Sequence, residues 1–195
     1  MKRRLPLGPR ARRIALILMD VDGVLTDGGI SFIEGSSECK TYDVKDGVGL
    51  WIARRAGLRT GVISGRGGAA VVRRAEELRL DEIHLKVHDK LQAYQRILKR
   101  QKVSDEQVCY LGDDLTDLPV LGRAGMPVAV ADAHPEVIRR TPFVTRARGG
   151  RGAVREVVDT ILKAQGRWPE VLGWFVSWPR GGKRPRRGAD AGAQR

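Results

Sequence analysis

The fold is decided by the stretch Ile14-Ala15-Leu16-Ile17-Leu18-Met19-Asp20-Val21-Asp22-Gly23, an apolar run that ends in two aspartates. A continuous apolar run bounded by polar residues is typical of a parallel strand covered on both faces. Side chains two apart on an extended segment point the same way, so the carboxylates of Asp20 and Asp22 converge at the end of this strand. Gly23 then permits a sharp turn. We therefore predict a buried central strand with a paired acidic group at its carboxyl end.

Further apolar runs follow this strand and alternate with helical patterns. The runs 60–63, 82–86, 108–111 and 127–130 read as strands, and helices are predicted over 89–101, from about Pro135, and over 152–165. This alternation predicts an α/β fold with a doubly wound parallel sheet. Residues 29–33 and 38–44 flank a turn-rich segment and predict an inserted β-hairpin, which is too small to be a domain.

Charge is distributed unevenly along the 195 residues. Of the formal net charge of +13, residues 1–13 contribute +6 and residues 180–195 contribute +5, which leaves +2 for the rest. We therefore divide the chain into a basic N-terminal tail (1–13), a central domain (14–167) and an aromatic, then basic, C-terminal tail (168–195). The composition predicts disorder for residues 1–13 and from about residue 179.

Cysteine usage and the lack of a convincing targeting segment predict a cytoplasmic protein. Cys39 and Cys109 lie far apart in unlike contexts, which indicates free thiols in a reducing compartment. The apolar run 14–19 is too short for a membrane span and lacks a signal-peptide cleavage site.

A second acidic cluster, Gly112-Asp113-Asp114-Leu115-Thr116-Asp117, follows the predicted strand 108–111. It should lie at the same sheet edge as Asp20 and Asp22, where open α/β sheets bind ligands. Ser64 also ends a predicted strand, and Lys90 begins a predicted helix. Considered on its own, Ser64 is typical of a helix cap or a turn, and Lys90 is typical of a solvated surface lysine. Paired carboxylates repel one another, so the edge favours a hard cation such as Mg²⁺.

In this order, these segments resemble the four motifs of the haloacid dehalogenase superfamily. More specifically, the chain resembles the capless 3-deoxy-D-manno-octulosonate 8-phosphate (KDO 8-phosphate) phosphatase family over about residues 14–167. The matching segments are 20–28, 42–49, 63–66, 112–117, 128–135 and 149–156.

The resemblance implies an Mg²⁺-dependent phosphatase that forms an aspartyl-phosphate. Asp20 would be the nucleophile, and Asp22 the general acid and then the base. Mg²⁺ would be held by Asp20, Asp113 and the backbone carbonyl of Asp22. Ser64 and Lys90 would bind the phosphate oxygens. Of the other acidic residues, Asp114 would orient Lys90 or a metal-bound water, whereas Asp117 reads equally as an acidic residue at a helix start.

The resemblance also implies residues that bind the sugar acid and an assembly that covers the site. In addition to Asp22 and Lys90, the substrate-binding residues would be Asp43, Val44, Lys45, Asp46, Gly47, Arg66 and Arg74. Family members assemble through their hairpins, so we expect a homotetramer. The family's product also implies a role in lipopolysaccharide synthesis.

Three departures from the family pattern concern the substrate. Ser64 stands where threonine is common, Asp43 where asparagine is common, and Trp51 where a polar or basic residue is expected. A phosphatase for a related nine-carbon sugar acid 9-phosphate, of the KDN or N-acylneuraminate type, is therefore the alternative substrate reading.

The two ends of the chain leave further alternatives open. Trp168, Trp174, Phe175 and Trp178 either pack on the domain or a neighbouring subunit, or form a membrane-surface anchor together with the basic residues that follow. The resemblance also implies that the C-terminal tail can reach the active site of an adjacent subunit. A nucleic-acid-binding activity through the basic ends is the non-enzymatic alternative. The body itself carries no nucleic-acid-binding motif, so no nucleic acid partner is expected for it.

Overall fold

The computed structural model describes residues 8–33 and 38–176. The expectations for residues 1–7 and 177–195, including the disorder of both ends and the packing of Trp178, lie outside the described residues. The strands are β1 (Leu16–Met19), β2 (Ser31–Phe32), β3 (Glu38–Cys39), β4 (Arg59–Ile63), β5 (Glu82–His84), β6 (Val108–Gly112), β7 (Met126–Ala129) and β8 (Phe143–Val144). The helices are α1 (Gly8–Ala11), α2 (Val44–Arg55), α3 (Ala69–Leu78), α4 (Lys90–Gln101), α5 (Leu118–Leu121), α6 (Pro135–Arg140), α7 (Ala153–Ala164) and α8 (Trp168–Val176).

Six parallel strands form the central sheet in the order β5-β4-β1-β6-β7-β8. The strand order reverses after β5, so right-handed crossovers place α2 and α3 on one face and α4 and α5 on the other. This arrangement confirms the predicted doubly wound α/β fold. The strand β1 lies at the switch point between β4 and β6, where such sheets bind ligands.

The core forms on both faces of β1, whose four side chains are all fully buried. On one face, α2 packs against α7, which also contacts α1 and α8. The predicted strand 82–86 ends at His84, and Lys86 has a positive φ of 56° that ends extended structure there. The short strand β8 was not predicted, because two residues give no readable alternation.

The inserted hairpin is present but shorter than predicted. Among the described residues, which leave out 34–37, only Ser31 with Cys39 and Phe32 with Glu38 pair, in antiparallel register. A two-stranded ribbon is marginally stable without further packing. Ion pairs from Glu38 and Lys40 to residues at the edge of the main sheet supply the attachment described below.

Residues 8–13 correct the predicted disordered N-terminal tail. Ala11 is fully buried in the core, and the Arg10 guanidinium donates to the carbonyl of Gly125 at 3.1 Å. Arg12 donates to the carbonyl of Ala164 at the end of α7. Composition predicted disorder from six basic residues in the first 13, but the single alanine of this short helix is buried, and Arg10 and Arg12 donate to backbone carbonyls of the domain.

Residues 168–176 form a helix that was not predicted. Val171 is buried, and Trp168 and Trp174 are partly buried against the core, as the packing alternative for these aromatics predicted. Pro169 stands in the first turn of α8, a position that proline favours. Among the described residues, no helix has both the length and the apolar character needed to cross a membrane.

Candidate active site

A cavity of about 350 Å³ opens at the carboxyl ends of β1, β4 and β6. The topology brings these three strand ends to one edge, so residues distant in sequence share a single pocket. The lining combines predicted site residues with residues that sequence reasoning missed: Asp20, Asp22, Ser64, Arg66, Lys90, Asp113, Asp114, Gly28, Gly65, Val87, His88 and Thr116.

The Asp20 carboxylate lies at the centre of a buried charge network. Its Oδ2 accepts from Lys90 Nζ at 2.7 Å, and its Oδ1 accepts from the backbone N–H of Val21 at 2.6 Å. Burial and the neighbouring Asp117 carboxylate raise the pKa of Asp20 to about 6, although Lys90 acts in the opposite direction. Asp20 is therefore held in one orientation with its negative charge only partly compensated.

Lys90 is buried, and it is held by two carboxylates rather than by solvent. Its second contact is Asp117 Oδ1 at 2.8 Å. Burial lowers the pKa of Lys90, but the combined charges of Asp117 and Asp20 outweigh burial and raise it. The surface-lysine reading is wrong for this position, and Lys90 keeps its positive charge in the pocket.

Asp117 is fully buried, which corrects the reading of it as an ordinary acidic residue at a helix start. Besides Lys90, its Oδ1 accepts from the Tyr110 hydroxyl at 2.7 Å, and its Oδ2 accepts from the backbone N–H of Asp113 at 3.0 Å. Asp114, expected to orient Lys90 or a metal-bound water, accepts from the N–H of Leu115 with its side chain, and the contact with Lys90 is made by Asp117 instead. Asp117 therefore has the role that was predicted for Asp114, that of orienting Lys90.

Asp113 supplies an oxygen without a protein partner. Its Oδ1 is buried and accepts no hydrogen bond from any described residue. Burial, with Asp117 and Asp20 nearby, raises the pKa of Asp113 to about 8. Oxygens of Asp20, Asp113 and Asp117 all lie within 4.8 Å of one another. Such close, poorly compensated carboxylates have the donor chemistry of a divalent cation site.

Asp22 contacts the hairpin. Its Oδ1 accepts from Lys40 Nζ, and Lys40 Nζ also lies 2.6 Å from Glu38 Oε1. Arg66 pairs with Glu38 Oε2 at 3.0 Å, and its Nε lies 4.0 Å from Asp22 Oδ2. The Lys40 side chain is only 1% exposed. The hairpin is thus joined to the pocket by a four-residue charge network.

Ser64 follows β4 with its side chain buried at the pocket wall. Its backbone N–H donates to the carbonyl of His84 at 2.9 Å, and its Oγ accepts from the N–H of Arg66 at 3.2 Å. The backbone contacts fix the position of Ser64, while its hydroxyl hydrogen stays available to a ligand.

Several predicted substrate residues lie outside this cavity. Asp43 caps α2 by accepting from the N–H of Lys45 at 2.7 Å, and Val44 and Lys45 are exposed on that helix. Arg74 stacks on Tyr42 with its guanidinium 5.5 Å from the ring centroid, and it packs against Gly47. Of the predicted substrate set, Asp22, Arg66 and Lys90 line the pocket, and the other members do not.

Asp46 is the clearest departure among them, because its carboxylate faces α7. It is buried and accepts from the N–H of Gly152 at 3.1 Å and from the N–H of Arg155 at 2.8 Å. Helix N-termini leave backbone donors unpaired, and an aspartate from another element can satisfy them. Asp46 therefore joins α2 to α7 and does not face the pocket.

Sequence reasoning missed Glu38, Lys40, His88 and Tyr110. Lys40 and Glu38 stand beside a turn, where charged residues usually read as solvated, and Tyr110 reads simply as a core residue of β6. His88 lies two residues before Lys90, so its nearness to a predicted site residue was the one usable signal.

The parallel sheet and the carboxylate pocket at its edge are those of phosphohydrolases that carry aspartates in the active site. Comparison with known proteins leads to the same class. A family model for haloacid dehalogenase-like hydrolases matches residues 70–156. The 3-deoxy-D-manno-octulosonate 8-phosphate phosphatase KdsC of Escherichia coli K12 is 42% identical over 167 residues, covering 86% of this chain and 89% of that protein. The chain belongs to the 3-deoxy-D-manno-octulosonate 8-phosphate phosphatase family.

Solved structures agree in fold along most of the chain. The Yersinia pestis 3-deoxy-D-manno-octulosonate 8-phosphate phosphatase superposes with a TM-score of 0.82 at 41% identity, covering 84% of this chain and 88% of that one. The Moraxella catarrhalis enzyme, solved in complex with magnesium ion, phosphate ion and KDO, gives a TM-score of 0.84 at 36% identity, covering 87% and 97%.

Proposed function

We propose that this chain is an Mg²⁺-dependent phosphatase that hydrolyses KDO 8-phosphate to KDO and inorganic phosphate. The observation that carries this proposal is the Asp20 carboxylate, which Lys90 and the N–H of Val21 hold in an open cavity at the end of the central strand. That geometry occurs in a chain 42% identical to a KDO 8-phosphate phosphatase over most of its length.

Asp20 is the proposed nucleophile. One carboxylate oxygen attacks phosphorus, the bond between phosphorus and the sugar oxygen breaks, and an aspartyl-phosphate forms. Lys90, charged and buried beside Asp20, stabilises the negative charge of the phosphoryl oxygens, and the Ser64 hydroxyl donates to them from the β4 end. Asp117 contacts Lys90 from the far side, so we assign it as a positioning residue.

Asp22 is the proposed general acid and base. Its proton goes to the departing sugar alkoxide as the phosphorus–oxygen bond breaks. The carboxylate then takes a proton from a water that attacks phosphorus, which releases phosphate and regenerates Asp20 and protonated Asp22. Lys40 and Arg66 hold Asp22 at the cavity wall, which fixes the direction from which the proton arrives.

The carboxylate cluster fits a magnesium ion. Asp113 Oδ1 is buried without a protein partner, and hard cations prefer carboxylate oxygen. Asp20, Asp113 and the backbone carbonyl of Asp22 are the proposed ligands, because each oxygen of Asp117 already accepts two hydrogen bonds, from Lys90 and Tyr110 or from backbone N–H groups, whereas each oxygen of Asp20 accepts one. When bound, the ion shields the negative charge that would otherwise keep a phosphate away from Asp20.

The departures at Trp51 and Asp43 do not involve the residues proposed to bind phosphate. Trp51 contacts Trp174 and Phe175 of α8, and Asp43 caps α2, so neither lines the cavity of its own subunit. A nine-carbon sugar acid 9-phosphate is therefore the competing substrate, since it presents the same phosphate and carboxylate groups on a longer chain.

We also propose that the chain acts as a homotetramer in the cytoplasm and contributes to lipopolysaccharide synthesis. Exposed apolar hairpin side chains, with Phe32 75% and Ile33 58% exposed, support an assembly surface. The free thiols of Cys39 and Cys109 suit a reducing compartment. Sedimentation of the wild type against a Phe32→Asp/Ile33→Asp variant tests the assembly. A wild-type monomer with full activity would remove this part of the proposal.

The substrate is tested by phosphate release from purified enzyme with Mg²⁺. The panel contains KDO 8-phosphate, a nine-carbon sugar acid 9-phosphate, glucose 6-phosphate and p-nitrophenyl phosphate. We expect kcat/KM for KDO 8-phosphate to exceed that for every other compound by about tenfold or more. A higher value for the nine-carbon compound would transfer the proposal to that substrate, and no phosphate release from any compound would end it.

A further inference from the structure

A second cavity, of about 530 Å³, lies beside the catalytic cavity and shares part of its wall. Val87 and His88 line both cavities. The rest of the second lining comes from the end of β5, the residues that follow it, and α4. We call this second cavity the basic groove, because three basic side chains line it against one carboxylate. These charged lining residues are Lys86, Asp89, Arg96 and Arg100.

Lys86 has a backbone conformation that favours glycine. Its φ is 56°, and the other described non-glycine residues with positive φ, Arg79 and Lys102, end the helices α3 and α4, where left-handed caps are common. Lys86 ends no helix. Its N–H donates to the carbonyl of Arg66 at 3.1 Å, and the next N–H along the chain donates to the carbonyl of Ser64 at 3.0 Å. Strained residues persist where surrounding contacts fix them and are concentrated at functional sites.

The positive charges of Lys86 and Arg96 are open to a ligand. Both side chains are exposed, and in the described part of the chain no carboxylate lies within 4.0 Å of either one's nitrogens. The Arg96 guanidinium donates to the carbonyl of Gln92 at 3.4 Å and also to its side-chain oxygen. Because Gln92 is neutral, these hydrogen bonds orient Arg96 without compensating its charge.

The other two charged residues of the groove are engaged within the domain. Arg100 Nε donates to the buried carboxylate of Glu82 at 2.9 Å. Asp89 caps α4, and its Oδ1 accepts from the N–H of Gln92 at 2.9 Å. The uncommitted charge of the groove is therefore positive. The proposed phosphatase reaction uses none of it.

We propose that the basic groove binds a second anionic group, a carboxylate or a phosphate, of a ligand whose first phosphate occupies the catalytic cavity. The inference rests on the proposed function for that first phosphate. Guanidinium and ammonium groups bind carboxylates and phosphates through charge-assisted hydrogen bonds, and Arg96 and Lys86 supply one of each. Because the two cavities share a wall, the second anionic group meets the groove at a high effective concentration once the first is bound.

This arrangement selects for ligands with two anionic groups. A phosphorylated sugar acid is one such ligand, since it carries a carboxylate as well as a phosphate. A bisphosphorylated compound is the other. A neutral sugar phosphate of the same size makes no use of the groove, so it gains nothing from Lys86 and Arg96.

Calorimetric binding of phosphonates to the full-length protein with Mg²⁺ tests this inference without turnover, because the carbon–phosphorus bond resists hydrolysis. The probes are alkylphosphonates of about four to eight carbons, with phosphonocarboxylates and bisphosphonates of the same lengths. In the wild type we expect the best compound with two anionic groups to bind about tenfold or more tightly than the matching alkylphosphonate. A gain limited to phosphonocarboxylates assigns the groove to a carboxylate, and a gain limited to bisphosphonates assigns it to a second phosphate.

Lys86→Gln/Arg96→Gln should reduce this gain to about threefold or less and leave alkylphosphonate binding unchanged. The matched control, Arg54→Gln/Lys102→Gln, removes the same charge from residues that line neither cavity, and Lys102 shares the positive φ of Lys86. The control should keep the wild-type gain. Lys86→Gly relaxes the backbone, so it should fold as stably as the wild type and still lose part of the gain.

Three results would overturn the inference. The first is an equal gain in the wild type and in Lys86→Gln/Arg96→Gln. The second is binding of every two-anion compound no more tightly than its matching alkylphosphonate. The third is an equal loss of the gain in Arg54→Gln/Lys102→Gln, which would assign the effect to the net charge of the molecule. Absence of binding by all phosphonates would contradict the phosphatase proposal itself, and this inference with it.

Discussion

Lys90 Nζ lies 2.8 Å from Asp117 Oδ1, a contact between two buried side chains 27 residues apart in sequence. Lys90 Nζ also contacts the Asp20 carboxylate, so the lysine lies between two carboxylates. A charged lysine held from both sides loses little conformational freedom when a phosphate arrives, because its position is already fixed. The contact therefore links α4, which carries Lys90, to the loop after β6.

This relationship predicts different effects for the same substitution at two neighbouring aspartates. Asp117→Asn removes a charge from Lys90 and weakens a buried network, so we expect kcat to fall by about 10². Asp114→Asn, which alters an exposed side chain that caps Leu115, should cost about tenfold less than Asp117→Asn. Steady-state kinetics of both variants measures the difference. A larger loss from Asp114→Asn would restore the original assignment of Asp114.

The stability of the metal-free protein should depend on pH through Asp113 and Asp20. Both pKa values are raised in the folded protein, to about 8 and about 6, from an ordinary value of 3.8. The folded state therefore holds protons that the unfolded state has released, and stability is lost as pH rises toward about 8. We expect Tm in EDTA to fall by several degrees between about pH 5.5 and pH 8.5.

Magnesium should reverse this loss, because the ion replaces the protons on the same oxygens. In Asp113→Asn, the decline with pH in EDTA should become shallower, and the recovery with Mg²⁺ should disappear. Thermal unfolding at four combinations of pH and metal measures both effects. A wild-type Tm that rises toward pH 8.5 without metal would contradict the assignment of these carboxylates.

Alanine substitutions at Gly23, in the turn after β1, and at Gly57, its control, form a matched pair. Both have positive φ, 86° and 73°, so alanine strains the backbone at either site by about 1 kcal/mol. A Cβ on Gly23 would lie 2.0 Å from Asp113 Oδ2, whereas nothing lies within 4 Å at Gly57. We expect similar modest losses of stability from the backbone term, but a loss of activity of about 10² or more only in Gly23→Ala.

Asp46 should prove structural. Asp46→Asn removes the buried carboxylate that accepts from Gly152 and Arg155 at the start of α7, and we expect about 1–3 kcal/mol lower unfolding free energy with KM unchanged. Asp159→Asn, which breaks a partly exposed pair with Arg155, should cost less than about 1 kcal/mol. Denaturant unfolding and KM measurements separate the roles. A raised KM with unchanged stability would return Asp46 to the substrate site.

The predictable part of the molecule is the part that local pattern controls. The apolar run before Asp20 indicated a buried strand, and the strand ends before Ser64 and Asp113 followed from the same reasoning. Parallel strands bring such ends to one edge, so the sequence was enough to assemble the main pocket residues. The Pro169 signal for α8 was also present, although the aromatic character of that stretch obscured it.

What local pattern could not supply are contacts made across the fold. In the sequence Lys40 looks like a solvated lysine, because the hairpin fold that brings it to Asp22 is not visible there. Asp117 likewise looks like a residue at a helix start, because its contact with Lys90 depends on where α4 packs. Asp46 shows the opposite error. Its motif resembles a substrate-binding loop, but its carboxylate faces α7. In each case the partner lies many residues away, so burial and pairing depend on tertiary packing.

The most direct test of the proposed chemistry is covalent capture of the phosphoryl group. Wild-type enzyme is mixed with KDO 8-phosphate labelled at phosphorus and Mg²⁺, quenched with acid within one turnover, and digested. We expect label on the peptide that contains Asp20, released by hydroxylamine, and neither label nor turnover in a folded Asp20→Asn variant. Sustained phosphate release by Asp20→Asn, or label on another residue, would contradict it.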